Sequence, residues 1–193
     1  MKIEILKEND IRNAVSLSRY VYDIEVRHKQ GDERYDRYFD EYMDEQNIQN
    51  LVQSGQLTIW GMTDNNQLVA VSGMNNQGLI TMLYVHPGYV RRKCGMMLIE
   101  QMRYYAAHTY GFEWVAVNAL PYWSSTYFQK RGFSIISDNP CQTSAFTTLR
   151  IKSNKYEIYQ TRKIPAGTLA LVISIFLCLI VGSSFGYMFY FLL

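Results

Sequence analysis

No charged side chain occurs between Ile164 and Leu193, a run of 30 residues that is almost wholly apolar, aromatic and small. A bilayer core about 30 Å thick needs about 20 helical residues. Backbone groups in lipid have to pair internally, which a lone segment achieves only as a helix. Residues 164–193 are therefore expected to form one C-terminal transmembrane helix. Lys152, Lys155, Arg162 and Lys163 precede the run and no charge follows it. By the positive-inside rule the rest of the chain then faces the cytoplasm. The expectation is a single-pass, tail-anchored membrane protein whose working domain is cytoplasmic, joined to its anchor by a short basic linker at 153–163. Within the anchor, Gly182-x-x-x-Gly186 permits close helix contact and leaves a homodimer open.

The other 163 residues carry all 36 charges, a length that suits one domain with a sizeable core. Aromatic residues make up 15% of the chain, which excludes disorder. Cys94, Cys141 and Cys178 are widely spaced and form no CxxC or Cys/His cluster. Neither a disulfide framework nor a metal site is expected. Charge is split along the chain: residues 1–90 hold 8 basic and 13 acidic side chains, and residues 91–193 hold 11 and 4. The first half suits a cationic partner or a solvated face. The second suits phosphate or an anionic membrane lipid surface, and no nucleic-acid partner is expected.

Ile11, Ala14, Val15, Ser18, Val21 and Tyr22 recur at three- and four-residue spacing and predict a helix over 10–29. A second helical stretch, rich in Tyr and acids, begins near Glu33, and an apolar stripe of Ile48, Leu51 and Val52 ends at Ser54-Gly55. Strands are predicted at 57–62, 67–73 and 79–85, parted by Asp64-Asn65-Asn66 and Asn75-Asn76, an antiparallel meander. Beyond the basic triplet Arg91-Arg92-Lys93 come a helix over 95–108 and a strand at 114–118. A short helix over 124–130 follows, then strands at 133–136 and 146–151. The order specifies an α/β (α+β) fold with a mixed sheet flanked by helices.

Three segments, "IQNLVQSGQLTIWG" (Ile48–Gly61), "LYVHPGYVRRKCGMMLI" (Leu83–Ile99) and "VNALPYWSSTYFQKRGF" (Val117–Phe133), occur in this order. Through them residues 1–152 resemble the GNAT superfamily, the acetyl-CoA-dependent N-acetyltransferases, with a mostly antiparallel central sheet. The resemblance implies acetyl-CoA as co-substrate and an amine acceptor. It implies that the strand Leu83, Tyr84, Val85 pairs with the pantetheine arm. The loop and helix start formed by Arg91, Arg92, Lys93, Cys94, Gly95 and Met96 would hold the pyrophosphate, with Asn118 nearby. Independently of that, a helix N-terminus offers unpaired N–H groups and positive dipole charge to a phosphate, and the basic triplet adds full charge.

The family loop reads Q/R-x-x-G-x-G/A. Ungapped counting puts Val90 at its first position and Lys93 at its first Gly, while Gly95 keeps the second. A slip of one residue recovers Arg92-x-x-Gly95 but loses the later Gly to Met97. The same three cations also suit anionic lipid. In the family a Tyr four residues before the Gly of the Gly-Phe pair often protonates the departing thiolate. That place is Phe128 here, and the candidate acid is Tyr127, about 100° around the helix. No carboxylate stands on the strand Leu79–Leu83. His86 belongs to the loop start, away from the amine, so a water held by backbone carbonyls or by Asn118 is the expected base. Cys94 sits at a helix start, where a thiol pKa falls, but it has no visible base partner. The acceptor would meet the acidic, Tyr-rich region that includes Tyr22, Glu25 and Tyr35, which favours a cationic amine. Two rival readings stay open: a catalytically inactive acyl-CoA-binding module, and a membrane-surface scaffold.

Overall fold

The computed structural model describes residues 1–30, 33–119, 122–137 and 147–154. The expected anchor and all of the expected linker beyond Ser153 and Asn154 therefore lie outside the described residues. Among the described residues no helix is long and apolar enough to cross a membrane.

Seven strands form one sheet in the order β1-β2-β3-β4-β5-β7-β6. The edge strand β1 (Lys2–Ile5) pairs antiparallel with β2 (Leu57–Asp64). The sequence reading did not anticipate β1, because four residues with a largely exposed edge carry too little alternation to register. Asn65 and Asn66 both adopt left-handed backbone, with φ of 48° and 63°. That is the conformation a two-residue hairpin needs to match strand twist, and it turns β2 into β3 (Gln67–Asn75).

The helix α1 (Ile11–Tyr22) buries Ile11, Ala14, Val15, Ser18, Val21 and Tyr22, the face its spacing predicts. The buried Ser18 hydroxyl is satisfied, since its Oγ donates to the Ala14 carbonyl at 2.8 Å. A π-helical turn (Asp23–Arg27) leads into the short α2 (His28–Gln30). The following stretch is two helices, α3 (Glu33–Tyr42) and α4 (Glu45–Gln53). Asp44 separates them: its extended backbone stops α3, and its carboxylate accepts the Asn47 N–H at 3.0 Å to cap α4. Replacing such a cap with Ala costs about 1 kcal/mol.

Helices α1, α3 and α4 pack on one sheet face through Ile48, Leu57, Ile59, Val71 and Met82. The other face packs Trp60, Ile80, Val115, Val117 and Leu149 against Leu98, Ile99 and Met102 of α5 (Cys94–Thr109).

Between β4 (Leu79–Val85) and β5 (Trp114–Ala119) the pairing is parallel and stops after Leu79↔Ala116 and Ile80↔Val117. On its other edge β4 stays paired to β3 as far as Val85, but the register slips where Gly73 faces Met82 and Met74 faces Ile80. Thr81 is therefore an extra residue, a β-bulge that bends the strand. The slip is visible in the packing. Ile80, Leu83 and Val85 lie on the α5 side, while Met82 and Tyr84 lie on the α1 side. Meanwhile β5 is held by six antiparallel pairs to β7 (Thr147–Lys152), which in turn pairs with β6 (Ser134–Ser137). Each strand follows its own neighbour, and a cleft opens between them beyond Ile80.

Two predictions follow from this geometry. Asp44→Ala should lower stability by about 1 kcal/mol in chemical denaturation. Deleting Thr81 restores strict two-residue alternation along β4; the protein should still fold, with amide-exchange protection extending along β5 past Val117 as the cleft closes.

Candidate active site

The cleft between β4 and β5 widens into a cavity of about 590 Å³. Its floor is the β4 edge that no strand covers, and its far end is the loop entering α5. After β4, His86 Nδ1 accepts the Gly88 N–H at 3.1 Å and fixes a 3₁₀ turn at Pro87–Tyr89. The chain then passes through two left-handed residues, Arg91 at φ 67° and Lys93 at φ 65°. Lys93 is the N-cap of α5, and no side chain caps that end. The first N–H groups of a helix have no intrahelical acceptor, so those of α5 are left for a ligand. Lys93 stands where the family loop has its first Gly. The left-handed backbone that Gly would adopt freely is kept here by lysine, at a cost of about 1–2 kcal/mol.

Leu83, Tyr84, Val85, Arg91, Lys93, Cys94, Gly95, Met96, Asn118 and Tyr127 all line this cavity. Arg92 does not; its guanidinium lies over the Tyr89 ring, 4.7 Å from the centroid. The Asn118 Oδ1 accepts the Thr148 hydroxyl at 2.9 Å, tying the end of β5 to β7. Cys94 is buried, and burial pushes its thiol up, overriding the lowering expected at a helix start. Its Sγ rests 3.7 Å from the Tyr89 carbonyl oxygen. His86 is stacked on Tyr20 with centroids 5.5 Å apart and does not line the cavity.

In α6 (Ser125–Gln129) the neighbours Tyr127 and Phe128 both line the cavity, but only Tyr127 brings a hydroxyl to it. Phe128 is buried edge-on to Phe133, with centroids 5.3 Å apart. Tyr127 sends its hydroxyl across the cavity to the start of α5, so close to Gly95 that a Cβ there would collide with it. Arg131, one turn further on, lies over the Tyr127 ring at 3.3 Å from the centroid, and its Nη1 donates to the Tyr127 carbonyl at 2.8 Å. Burial raises the Tyr127 pKa, and the Arg131 charge partly opposes the rise. The hydroxyl therefore carries its proton throughout the neutral range. Sequence reasoning missed Arg131, which also lines the cavity and has a buried Nε with no hydrogen-bond partner. Its four-residue spacing from Tyr127 was the available signal.

None of Tyr22, Glu25 and Tyr35 lines the cavity. Tyr22 is buried, its ring stacked on Phe39 at 3.6 Å and its hydroxyl donating to Asp36 at 2.9 Å. Glu25 pairs with Lys29 at 2.9 Å. Arg27 pairs with Asp23 at 2.8 Å and with Asp40 at 3.0 Å, and Arg19 reaches Asp40 at 3.2 Å. Much of the acidity read from the sequence is thus neutralised within the domain. Tyr84 bridges the two regions. It lines the cavity, and burial among the Tyr22, Tyr42 and Tyr38 hydroxyls pushes its pKa up. Among the described residues no group of three or more His, Cys, Asp or Glu could hold a metal ion.

Residues 24–152 match the family model described as the acetyltransferase (GNAT) domain, and the chain belongs to that family. The fold is similar to that of PaiA N-acetyltransferase from Thermoplasma acidophilum, solved in complex with coenzyme A. There the TM-score is 0.63 and the identity 17%, over 79% of this chain and 99% of that one. It is similar also to a GCN5-related N-acetyltransferase from Rhodopseudomonas palustris titled "Aminotransferase, Class-II". That match has a TM-score of 0.65 at 21% identity and covers 78% and 94% of the two chains. A third similar structure is aminoglycoside 6'-acetyltransferase type Ii, at TM-score 0.56 and 14% identity over 80% and 98%. No curated protein matches the sequence.

The loop geometry makes two substitutions informative. Lys93→Gly should raise stability by about 1 kcal/mol in denaturant unfolding, because it removes left-handed strain. Gly95→Ala should destabilise through the Tyr127 hydroxyl, and combining it with Tyr127→Ala should recover most of the loss, a coupling that a double-mutant cycle measures.

Proposed function

We propose that this protein is a membrane-tethered N-acetyltransferase that moves acetyl from acetyl-CoA to an amine by direct attack. One observation carries the reading: a single cavity joins the unpaired β4 edge to the uncapped start of α5, with Arg91 and Lys93 at that end. These groups fit coenzyme A. The strand edge offers backbone partners to the amide-bearing arm, and the helix N-terminus with two cations suits the pyrophosphate. Acetyl-CoA supplies an activated thioester; the amine nitrogen forms the C–N bond as the C–S bond breaks, and the proton lost by nitrogen ends on sulfur.

Holding both reactants in one cleft supplies much of the acceleration in such a reaction. Tyr127 is the proton donor in this reading, because it lines the cavity and burial keeps it protonated. Phe128 is buried and has no proton to give. The uncharged run 164–193 tethers the domain, which then works on the cytoplasmic side, with anionic lipid beside its basic linker and a homodimer open through Gly182-x-x-x-Gly186.

A second reading, coenzyme binding without turnover, draws on a specific feature. The Tyr127 hydroxyl sits against Gly95, at the phosphate-binding end of the cavity. There it would be a ligand of the coenzyme and not an acid.

Calorimetry of the full chain with acetyl-CoA tests the shared premise: micromolar binding is expected, weakened at least about tenfold by Arg91→Ala with Lys93→Ala. Absence of binding would overturn both readings. Tyr127→Phe separates them. As an acid its loss lowers kcat about 10²-fold or more at unchanged KM; as a coenzyme ligand in a protein without turnover, its loss weakens acetyl-CoA binding in the calorimeter, and the wild type shows no acetylation rate to lower. The raised pKa sets the pH dependence. An acid is active while protonated, and Tyr127 loses its proton only above the ordinary tyrosine value of about 10. The ratio of wild-type to Tyr127→Phe rates should therefore stay flat from about pH 6 to pH 9.

A further inference from the structure

The cavity lining carries the cations Arg91, Lys93 and Arg131 and, among the described residues, no Asp, Glu or His. Coenzyme phosphates would neutralise the two loop cations. Arg131 remains, stacked on Tyr127. On the α1 side of β4 the wall is aromatic. Tyr84 meets Phe39 edge-on at 6.1 Å, and Tyr38 stacks with Tyr42 at 6.3 Å. Tyr38 is 60% exposed, so the rings run from the cavity to solvent. The carboxylates flanking these rings are engaged: Asp36 accepts the Tyr22 hydroxyl, and Asp23 and Asp40 are paired with Arg27.

We propose that the acceptor is an amine carried on an aromatic or apolar body, bound as the free base against Tyr84 and the rings beside it, and not a polycation. The inference rests on the acetyltransferase reading and names its acceptor class. A primary amine resembling the lysine side chain has a pKa of about 10.4 and reaches the protein as an ammonium. Burial among neutral groups disfavours the charged form.

The titratable groups facing this wall are Tyr84 from β4, Tyr22 from α1, and Tyr38 and Tyr42 from α3; behind Tyr22 stand Asp36 of α3, which accepts its hydroxyl, and Arg27, whose guanidinium lies over its ring and pairs with Asp40. From the opposite side come Tyr89, Cys94 of α5, Tyr127 and Arg131. Burial pushes up the phenols of Tyr84, Tyr89 and Tyr127 and the Cys94 thiol, all in the sense of the neutral form. Ring faces attract a cation, but the groups acting on Tyr84 are the phenols of Tyr22, Tyr42 and Tyr38, and among the described residues no carboxylate lines the cavity to complete the pairing. A polyamine would have to leave water for that surface with several charges. An arylalkylamine loses one proton to solvent and stacks. The free base is also the nucleophile, which removes the need for a basic side chain at the site.

The test uses the full chain saturated with coenzyme A, so that no turnover occurs, titrated calorimetrically with 2-phenylethylamine or spermidine in two buffers of different ionisation enthalpy. 2-Phenylethylamine should bind about tenfold tighter or better than spermidine, with release of close to one proton per amine. Tyr38→Ala should weaken it severalfold. Equal or tighter spermidine binding, or arylamine binding without proton release, would overturn the proposal. If coenzyme A binds and neither amine does, the proposal fails while the cofactor reading stands. If coenzyme A itself does not bind, the acetyltransferase reading fails.

Discussion

The parting of β4 from β5 is the constraint on which the rest of the structure depends. Each strand is committed to a strong ladder on its far side, β4 to β3 through Val85 and β5 to β7 over six pairs. The extra residue at Thr81 turns β4 away from a partner that β7 holds in place. Facing edges of two strands are thereby left with unpaired N–H and C=O groups. Such groups cost about 1–3 kcal/mol each when buried without partners, so the cleft is built to take a polar, extended ligand or water. The same bend carries β4 into the His86–Tyr89 turn, and that turn delivers two left-handed residues to the start of α5. Strand edge and helix terminus become two ends of one cavity because a single strand irregularity precedes both.

Charge follows the same division. The sequence is acidic in its first half and basic in its second, which suggests an acidic acceptor face opposite a basic cofactor face. From the basic half Arg91 and Lys93 line the cavity, and Arg92 does not. The acidic half folds back on itself, because α1 and the π turn place Arg19 and Arg27 among Asp23, Asp36 and Asp40. What reaches the cavity from that side is the ring of Tyr84.

How legible the fold was depended on whether a signal was periodic. The α1 face, the Asn65-Asn66 hairpin and the limits of β4 could be read directly, since burial at three- and four-residue spacing and paired left-handed residues leave local marks. The Asp44 cap was hidden in a stretch where acids are everywhere, so one more Asp carried no information. The Thr81 bulge was hidden for a different reason. Leu79–Val85 is apolar almost throughout, and a slip of register shows only where polar and apolar residues alternate. At the site, the loop cations and Gly95 were legible as chemistry. The pairing of Tyr127 with Gly95 and Arg131 was not, because it depends on which way a five-residue helix is rotated. Counting from Gly132 named Phe128, which packs into the core while one face lines the cavity, whereas Tyr127 beside it is the neighbour that brings a hydroxyl there. The departure at Lys93 reads differently once its φ is known: the left-handed turn survives, and only the residue that would adopt it without strain has changed.

Among the described residues no Asp, Glu or His lines the cavity, and this and the aromatic wall are two aspects of one electrostatic character. A carboxylate in this cavity would attract an ammonium and hold it charged, and a second group would then have to remove its proton. Burial without a carboxylate acts on every titratable group in the same sense, towards its neutral form. It keeps Tyr84 and Tyr127 as phenols and Cys94 as a thiol, and it would keep an amine as the free base. Arg131, which lines the same cavity beside Tyr127, is compatible with a departing thiolate, which is an anion. A site of this character works by selecting the reactive protonation state from solution. Its rate at neutral pH then follows the small fraction of acceptor already deprotonated, and an aromatic body offsets that penalty by adding apolar contact that the ammonium end does not have to share.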